Sequence, residues 1–552
     1  MKRRDFIKLS SLASMSSVLL PNRLSAASSP LMLQSCAGVS DRVLVMVRLI
    51  GGNDGINTIV PIDQYAAYAN LRPSIRVPDS GVDQYINLDS SLAVQDQVGL
   101  HPLLGPFKDL YDNGELTVIQ GVMYDFQDRS HFKSTDLWMM GGDGTSLNNN
   151  HGSGWLARYL ENSFPGVAGN PDVFSAPLAL QLAEKKPAVL FQGEHSHGIS
   201  TNLSGQDVSG YYSVVSGIGG AGIANFPNSE HGDLLEYISG VESNSNVYSQ
   251  AVSTAFNSGS NAINYPSFDL ADQLKTVARL VSGGIQTKVF LVSLGGFDTH
   301  NEQVDPIQGI SIGRHALLMD ELAQSMKAFM DDIKGLGIED RILTATFSEF
   351  GRKVKENGNY GTDHGGAAPM FIMGSCVNGG VLGTNVDLSE ADDTNNYQIE
   401  TMQHDYRRIY ATLLQDWLGA DTSIVDMTLK DNNNPSISYT SSKLNNLISA
   451  GCKVDPSCYI INFNVNVTPI DNNSAIQMYP IPARNYLTIH FGDSPFSGNI
   501  KMTDVKGQVV LQQTVSGQML TTLRWTRMSA GNYFIMLESS DQQLYSKEIT
   551  IL

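Results

Sequence analysis

The chain has 552 residues, a formal net charge of −19 and four cysteines. An acidic balance with no basic stripe leaves nothing to neutralise phosphates, which excludes a nucleic-acid partner. Four cysteines in so long a chain make no disulfide scaffold, and no run approaches the roughly 18 apolar residues of a membrane span, so no transmembrane anchor is expected in the mature chain.

The N-terminus, MKRRDFIKLSSLASMSSVLLPNRLSA, sets Arg3 and Arg4 ahead of Phe6 and a mildly apolar stretch from Ile7 to Leu20. Leu24-Ser25-Ala26 then offers a small-residue cleavage site, which gives residues 1–26 the layout of an export signal. Arg-Arg-Asp-Phe-Ile-Lys resembles a twin-arginine signal, whose export translocase carries folded proteins to the periplasm. An ordinary secretory signal fits the same residues.

Residues 27–432 suit one large domain. DRVLVMVRLIGG (41–52), GELTVIQGV (114–122), TKVFLVSLGG (287–296), DRILTATFSEFG (340–351) and APMFIMG (368–374) are short, nearly continuous apolar runs. Such runs suit strands covered on both faces, as in a parallel sheet. Between the third and fourth, Leu318, Leu322, Met326, Phe329 and Ile333 recur at helical spacing and stop at Gly335-Leu336-Gly337. With LADQLKTVARLV before this unit and YRRIYATLLQDWLG after it, the pattern predicts an α/β fold, a mostly parallel sheet sandwiched by helices. Residues 145–266, rich in Gly, Ser and Asn, are expected to form an insertion or cap over the site. His195 and His197 within them fit either a metal or a solvated loop.

Ligands in such folds sit beyond the carboxyl ends of the strands. There the sequence delivers Asp54 and Asn57 after the first strand, Asp298 and His300 after the third, and Glu349 and Arg352 after the fourth. Asp363 and His364 follow in GTDHGGAAPMFIMG. Carboxylates and imidazoles from separate glycine-flanked loops are the donors a divalent ion needs, zinc, magnesium, manganese or calcium, and five of them allow two ions. Asp54 also fits a helix cap. Two roles fit Arg352: holding an anionic substrate oxygen, or a structural pair with Glu349. DRSHFKSTDLWMMGG reads as a helix start, with Ser130 either a nucleophile or a cap and His131 either a ligand or a base.

RLIGGNDGINTIVP, RSHFKSTDLWMMG, SLGGFDTHNEQ, FSEFGRKVKENGNYGTDHGGAAPMFIMG and DYRRIYATLLQDWLG together resemble the DUF1501 family over most of residues 40–420. That family is similar more widely to the alkaline phosphatase and sulfatase superfamily. The resemblance implies an alkaline-phosphatase-like fold whose metal ligands are Asp54, Asp298, His300, Asp363 and His364, with Ser130 and His131 catalytic and Asn57, Glu349 and Arg352 binding substrate. It implies an exported hydrolase of phosphate or sulfate esters with a two-metal site and a small anionic or glycan substrate. The superfamily spaces its middle pair Asp-x-x-x-His, whereas this chain has Asp298-x-His300; a late third histidine falls to His404 by order alone. The alternative is a non-catalytic secreted or surface protein that uses the fold to bind glycans or a partner.

A Ser/Asn-rich stretch, residues 433–475, reads as a linker. Cys452 and Cys458 are close enough to bridge a small loop within it, while Cys36 and Cys376 fit buried thiols or a pair with each other. Residues 476–552 alternate as short β segments divided by turns, a small β-sandwich. Tyr479-Pro480-Ile481-Pro482-Ala483, Asp504-Val505-Lys506-Gly507 and Ser529-Ala530-Gly531-Asn532-Tyr533 resemble a type A sorting domain of the type IX secretion machinery. This implies a secreted or cell-surface protein.

Overall fold

Val43–Ile50 (β1), VLVMVRLI, is aliphatic and β-branched, and its side chains alternate between two buried faces. Val43, Val45, Val47 and Leu49 enter one core and Leu44 and Met46 the other, so the strand is central to a layered fold. A computed structural model describes residues 41–145, 152–164, 176–182, 188–193, 200–202, 248–429, 437–454 and 467–469, and most of 476–551. The expected export signal, Cys36, His195, His197, Cys458 and parts of the sorting motifs lie outside the described residues. These residues divide into two compact units, one ending at Tyr459 and one beginning at Ile460.

The first unit is built on a sheet whose other strands are Leu116–Met123 (β2), Ala179–Gln181 (β3), Ser200–Asn202 (β4), Val289–Gly295 (β5), Ile342–Ser348 (β6), Ala368–Met373 (β7), Gly380–Leu382 (β8) and His404–Asp405 (β9). Their spatial order is β8-β2-β7-β6-β1-β5-β3-β4, with β9 also paired to β2. β1 runs parallel to both β5 and β6. β7 is antiparallel to β6 and β2, where the sequence led us to expect another parallel strand; an apolar run buried on both faces carries no sign of its direction.

Helices cover both faces. Gly105–Asp112 (α1), Asp269–Ser282 (α4) and Arg314–Gly335 (α5) pack on one side through Phe107, Leu274, Val277, Leu322 and Met326. His131–Met140 (α2), Trp155–Ser163 (α3) and Tyr406–Thr412 (α6) pack on the other. There Trp138 stacks on Tyr406 with centroids 4.3 Å apart, and Trp155 on Tyr410 at 4.1 Å, clamping α2 and α3 to α6. α5 presents the expected apolar stripe, and the strand–helix–strand unit from β5 through α5 to β6 follows.

The described parts of 145–266 differ from a cap: α3 lies in the core, and β3 and β4 extend the sheet beyond β5. The linker reading also needs correction at its start. Tyr439, Leu447 and Ile448 are buried in the first unit's core, because these apolar side chains interrupt an otherwise polar stretch. Cys452 is bonded to Cys376, across 76 residues, rather than to Cys458. Among the described residues, no helix is long and apolar enough to cross a membrane.

The second unit is all β. A five-stranded sheet (467–469, 496–504, 509–518, 531–539, 544–551) and a three-stranded sheet (477–479, 486–490, 520–524) enclose Leu487, Ile489, Ile500, Met502, Leu523, Ile535 and Leu537.

Candidate metal centre

Three parallel strands end at one edge and turn sharply. After β1, Gly51 and Gly52 have φ of 123° and 81°, a region that only glycine enters without strain. A Cβ on Gly51 would stand 2.2 Å from the amide nitrogen of Asp298, so glycine is what lets this turn lie against the loop that follows β5. Arg352 locks the arrangement. Buried, it donates from Nε to the Gly52 carbonyl (2.8 Å), from Nη1 to Thr362 (3.0 Å), and from Nη2 to the carbonyls of Gly51 and Phe297 and to Asp298 Oδ1 (2.7 Å). Arg352 is also paired in a two-residue ladder with His364.

On this frame three imidazoles converge. Asp298 Oδ1 lies 3.2 Å from His300 Nε2, 3.3 Å from His364 Nε2 and 3.4 Å from His131 Nε2, and the Nε2 atoms of His300 and His364 are 3.0 Å apart. Each ring's other nitrogen meets an oxygen that only accepts: His131 Nδ1 the Glu349 carboxylate (3.0 Å), His300 Nδ1 the Asp363 carboxylate (3.1 Å), and His364 Nδ1 the Arg129 carbonyl (2.8 Å). Each Nδ1 is therefore placed to donate, and each ring turns its Nε2 toward Asp298 Oδ1. His131, Asp298 and His364 form a group able to hold a metal ion, and His300 Nε2 stands against two members of it.

Glu349 is 1% exposed at its side chain and also accepts from the Gly51 amide at 2.8 Å. α2 is held against the end of β6 by Ser134, whose hydroxyl donates to the Glu349 carbonyl, and this aims His131 at the carboxylate. The hydrogen bond to Glu349 raises the His131 pKa, overcoming the opposing effect of burial. Burial lowers that of His364. For Asp298, burial favours the neutral acid, but Arg352 outweighs it and keeps the carboxyl ionised below its ordinary range. The same holds for Asp363, where Asn357, His300 and Lys353 outweigh burial.

Of the remaining expected site residues, Glu349, Asp363 and Arg352 bond to members of this cluster, whereas Asp54 and Asn57 are engaged elsewhere. Asp54 is fully buried, with Oδ2 at 2.6 Å from Arg72 Nη1 and 2.5 Å from Gln303 Nε2, and none of its contacts is with Asp298, His300, Asp363 or His364. Asn57 is occupied too, accepting from Tyr68 and Arg72 and donating to the Ile75 carbonyl. Arg352 has its donors directed to loop carbonyls and Asp298, which leaves the guanidinium serving the frame rather than a substrate. Glu349 faces His131 and Gly51. Ser130 precedes α2 without a side-chain cap bond, its amide donating to Asp128. A cavity of about 410 Å³ opens beside the centre, lined by Arg48, His131, Phe132, Thr135, Asp136 and Asp298 among others but not by Ser130. His404 sits at β9, buried enough to lower its pKa, and has no described contact with the centre. The roles of Arg72 and Glu349 leave no local pattern in sequence. Only the position of His131 at a helix start hinted at its part.

Residues 241–426 match the family described as Protein of unknown function (DUF1501), and residues 477–551 match the Secretion system C-terminal sorting domain. No curated protein matches the chain. Among solved structures, Ps i-CgsB is similar at 9% identity and a TM-score of 0.30, over 92% of this chain and 86% of that one. The phosphonate monoester hydrolase SpPMH from Silicibacter pomeroyi is similar at 8% identity and 0.25, over 62% and 70%. A DUF3244 protein of immunoglobulin-like β-sandwich fold from Bacteroides vulgatus is similar at 18% identity and 0.13, over 14% and 86%. Likenesses so slight transfer neither fold nor chemistry. The chain thus joins a DUF1501 segment to a C-terminal sorting domain of the type IX secretion system, the mark of a secreted or cell-surface protein.

Proposed function

We propose that the chain is an exported metal-dependent hydrolase of phosphate or sulfate esters, with an alkaline-phosphatase-like α/β domain and a single ion held by His131, Asp298, His300 and His364. One observation carries this reading: three imidazoles, each fixed at Nδ1 by an oxygen acceptor, turn their Nε2 atoms onto one carboxylate oxygen. Lone pairs crowded at 3.0–3.4 Å repel unless a cation or proton lies among them. Donors about 2.0–2.1 Å from a tetrahedral ion stand roughly 3.3 Å apart, a spacing that the separations among Asp298, His300 and His364 match. Bound there, such an ion supplies Lewis acidity at an ester oxygen and lowers the pKa of water.

The chain's own residues do the rest. Glu349, Asp363 and the Arg129 carbonyl fix the tautomers and aim of the three rings. Arg352 holds Asp298 ionised, and the adjacent cavity takes the organic part of the ester. Water, rather than Ser130, attacks in this scheme, because Ser130 does not line the cavity. Asp54, neutralised by Arg72, is a structural charge, and Asp363 stands behind His300, which favours one ion over two. A non-catalytic binding protein has no need for three rings oriented onto one oxygen.

The test is elemental analysis of the purified mature chain, with p-nitrophenyl phosphate and sulfate as substrates. About one equivalent of metal, lost together with hydrolysis in His364→Ala, is expected. Less than half an equivalent, with no hydrolysis restored by zinc, manganese or magnesium, overturns the reading.

A further inference from the structure

The two turns that carry Asp298/His300 and Asp363/His364 meet on one buried side chain. Burial alternates along the first turn: the side chains of Asp298 and His300 reach solvent, while Thr299 between them is fully buried. The second turn repeats this, with Thr362 fully buried and Asp363 and His364 half-buried after it. A threonine held inward thus sets where its neighbours point. Both hydroxyls donate to the same atom, Gln303 Oε1, each at 2.9 Å, and the Thr362 amide donates to the Thr299 carbonyl at 3.1 Å.

Gln303 is itself fully buried and anchored at its backbone. Its amide donates to the Tyr360 carbonyl at 2.9 Å, and its carbonyl accepts from the His315 amide, in the first turn of α5, at 3.1 Å. Its side-chain Nε2 donates to Asp54 Oδ2 at 2.5 Å, and Arg72 holds that same carboxylate oxygen at 2.6 Å. An ionised carboxylate only accepts, so Asp54 requires the NH2 edge of the amide and leaves the oxygen edge to the two threonines. With the amide reversed, two oxygens would face each other in the interior with no proton between them. Asp298 has a separate hold in Arg352, and His131 has one in Glu349. The bond from His300 Nδ1 to Asp363 Oδ1, at 3.1 Å, spans the two turns that Gln303 joins.

We propose that Gln303 is a positioning residue for the metal centre, joining the two turns through one amide oxygen, and that Asp54 acts on the centre through this amide rather than as a ligand. The consequence for affinity rests on the metal reading, but the geometry is measurable in the metal-free chain.

The experiment compares wild type with Gln303→Met, Thr299→Val, Thr362→Val, Asp54→Asn and the double variant Asp54→Asn, Gln303→Met. Zinc affinity is read on the folded full chain by chelator competition, the cobalt-substituted chain by its visible spectrum, and the metal-free variants by crystallography. Gln303→Met should weaken zinc binding about tenfold, and each valine variant about threefold. Its metal-free crystals should show His300 Nδ1 and Asp363 Oδ1 drawn beyond about 3.5 Å, with His131 and Glu349 still bonded, and its cobalt spectrum should shift. A role in packing alone would lower the melting temperature and leave those contacts and the spectrum as in wild type. Asp54→Asn should cost affinity in wild type and nothing further in the Gln303→Met background, as expected of residues that act in series. The valine variants each leave Oε1 one donor, and they carry the test if Gln303→Met does not fold. Zinc affinities within about twofold of wild type, an intact His300–Asp363 bond, or losses that add across the Asp54 and Gln303 pair overturn the proposal. Wild type that binds no zinc overturns the metal reading, and the His300–Asp363 contact in the variant crystals then decides this one by itself.

Discussion

Glu349 and His131, 218 residues apart in sequence, meet through a 3.0 Å hydrogen bond in which a buried carboxylate fixes which ring nitrogen carries the proton. Carboxylates behind ligand histidines typically alter metal affinity by about 10–100-fold. Glu349→Gln keeps an oxygen acceptor for Nδ1 and removes the charge. Its metal affinity, measured by chelator competition on folded protein, should weaken by about that factor. A change under about threefold, with a lowered melting temperature, would show that Glu349 serves packing alone.

Arg72 is the counter-ion of Asp54 and also donates to the carbonyls of Lys353 and Val354. Arg72→Met leaves a buried carboxylate uncompensated, which costs about 3–5 kcal/mol. Urea denaturation should register that loss, while the double variant Arg72→Met, Asp54→Asn should recover part of it.

His315 is fully buried beside the Asp54–Arg72 pair, and burial lowers its pKa from 6.5 to about 4. A histidine whose folded pKa lies below its unfolded value binds fewer protons when folded. It therefore contributes stability above the unfolded pKa, and this is lost as pH falls from about 6.5 toward 4. At about 1.4 kcal/mol per pKa unit the loss is roughly 2–4 kcal/mol. His315→Gln should flatten that part of the stability curve between pH 7 and pH 4.5, at some cost in stability at neutral pH.

The Cys376–Cys452 bond ties the turn after β7 to the last segment of the first unit. Closing a loop of this length stabilises by roughly 4 kcal/mol on the chain-entropy model. Cys376→Ser should lower denaturation stability by about that amount, and added reductant should affect wild type and leave the variant unchanged.

The βαβ unit from β5 to β6 was legible because α5 repeats its apolar residues at 3.6 spacing and its strands are uniformly apolar. The Asp298/His300 and Asp363/His364 loops were legible because glycines mark turns and strand ends mark ligand positions in such sheets. The direction of β7 was not, since burial on both faces looks the same either way. Asp54 shared the glycine-flanked signature of the converging residues, and its pairing with Arg72, in an unpatterned stretch, was not legible. The pairing of His131 with Glu349 depends on α2 docking through Trp138 and Ser134, a tertiary contact that no local spacing encodes. Cys452 pairs across the fold rather than with its neighbour because the chain after Tyr439 returns to the core.

Arg352 reaches the carbonyls of Gly51, Gly52, Phe297 and Thr362 as well as Asp298. Three loops from distant parts of the sequence thereby share one planar cation, and none can shift without breaking bonds held by the other two. The floor of the site must move as a rigid body, on the timescale of global rather than local opening. The first turn of α2 is tied to the same frame through His131 and Ser134, so side-chain motion beside the site falls to exposed groups such as Phe132.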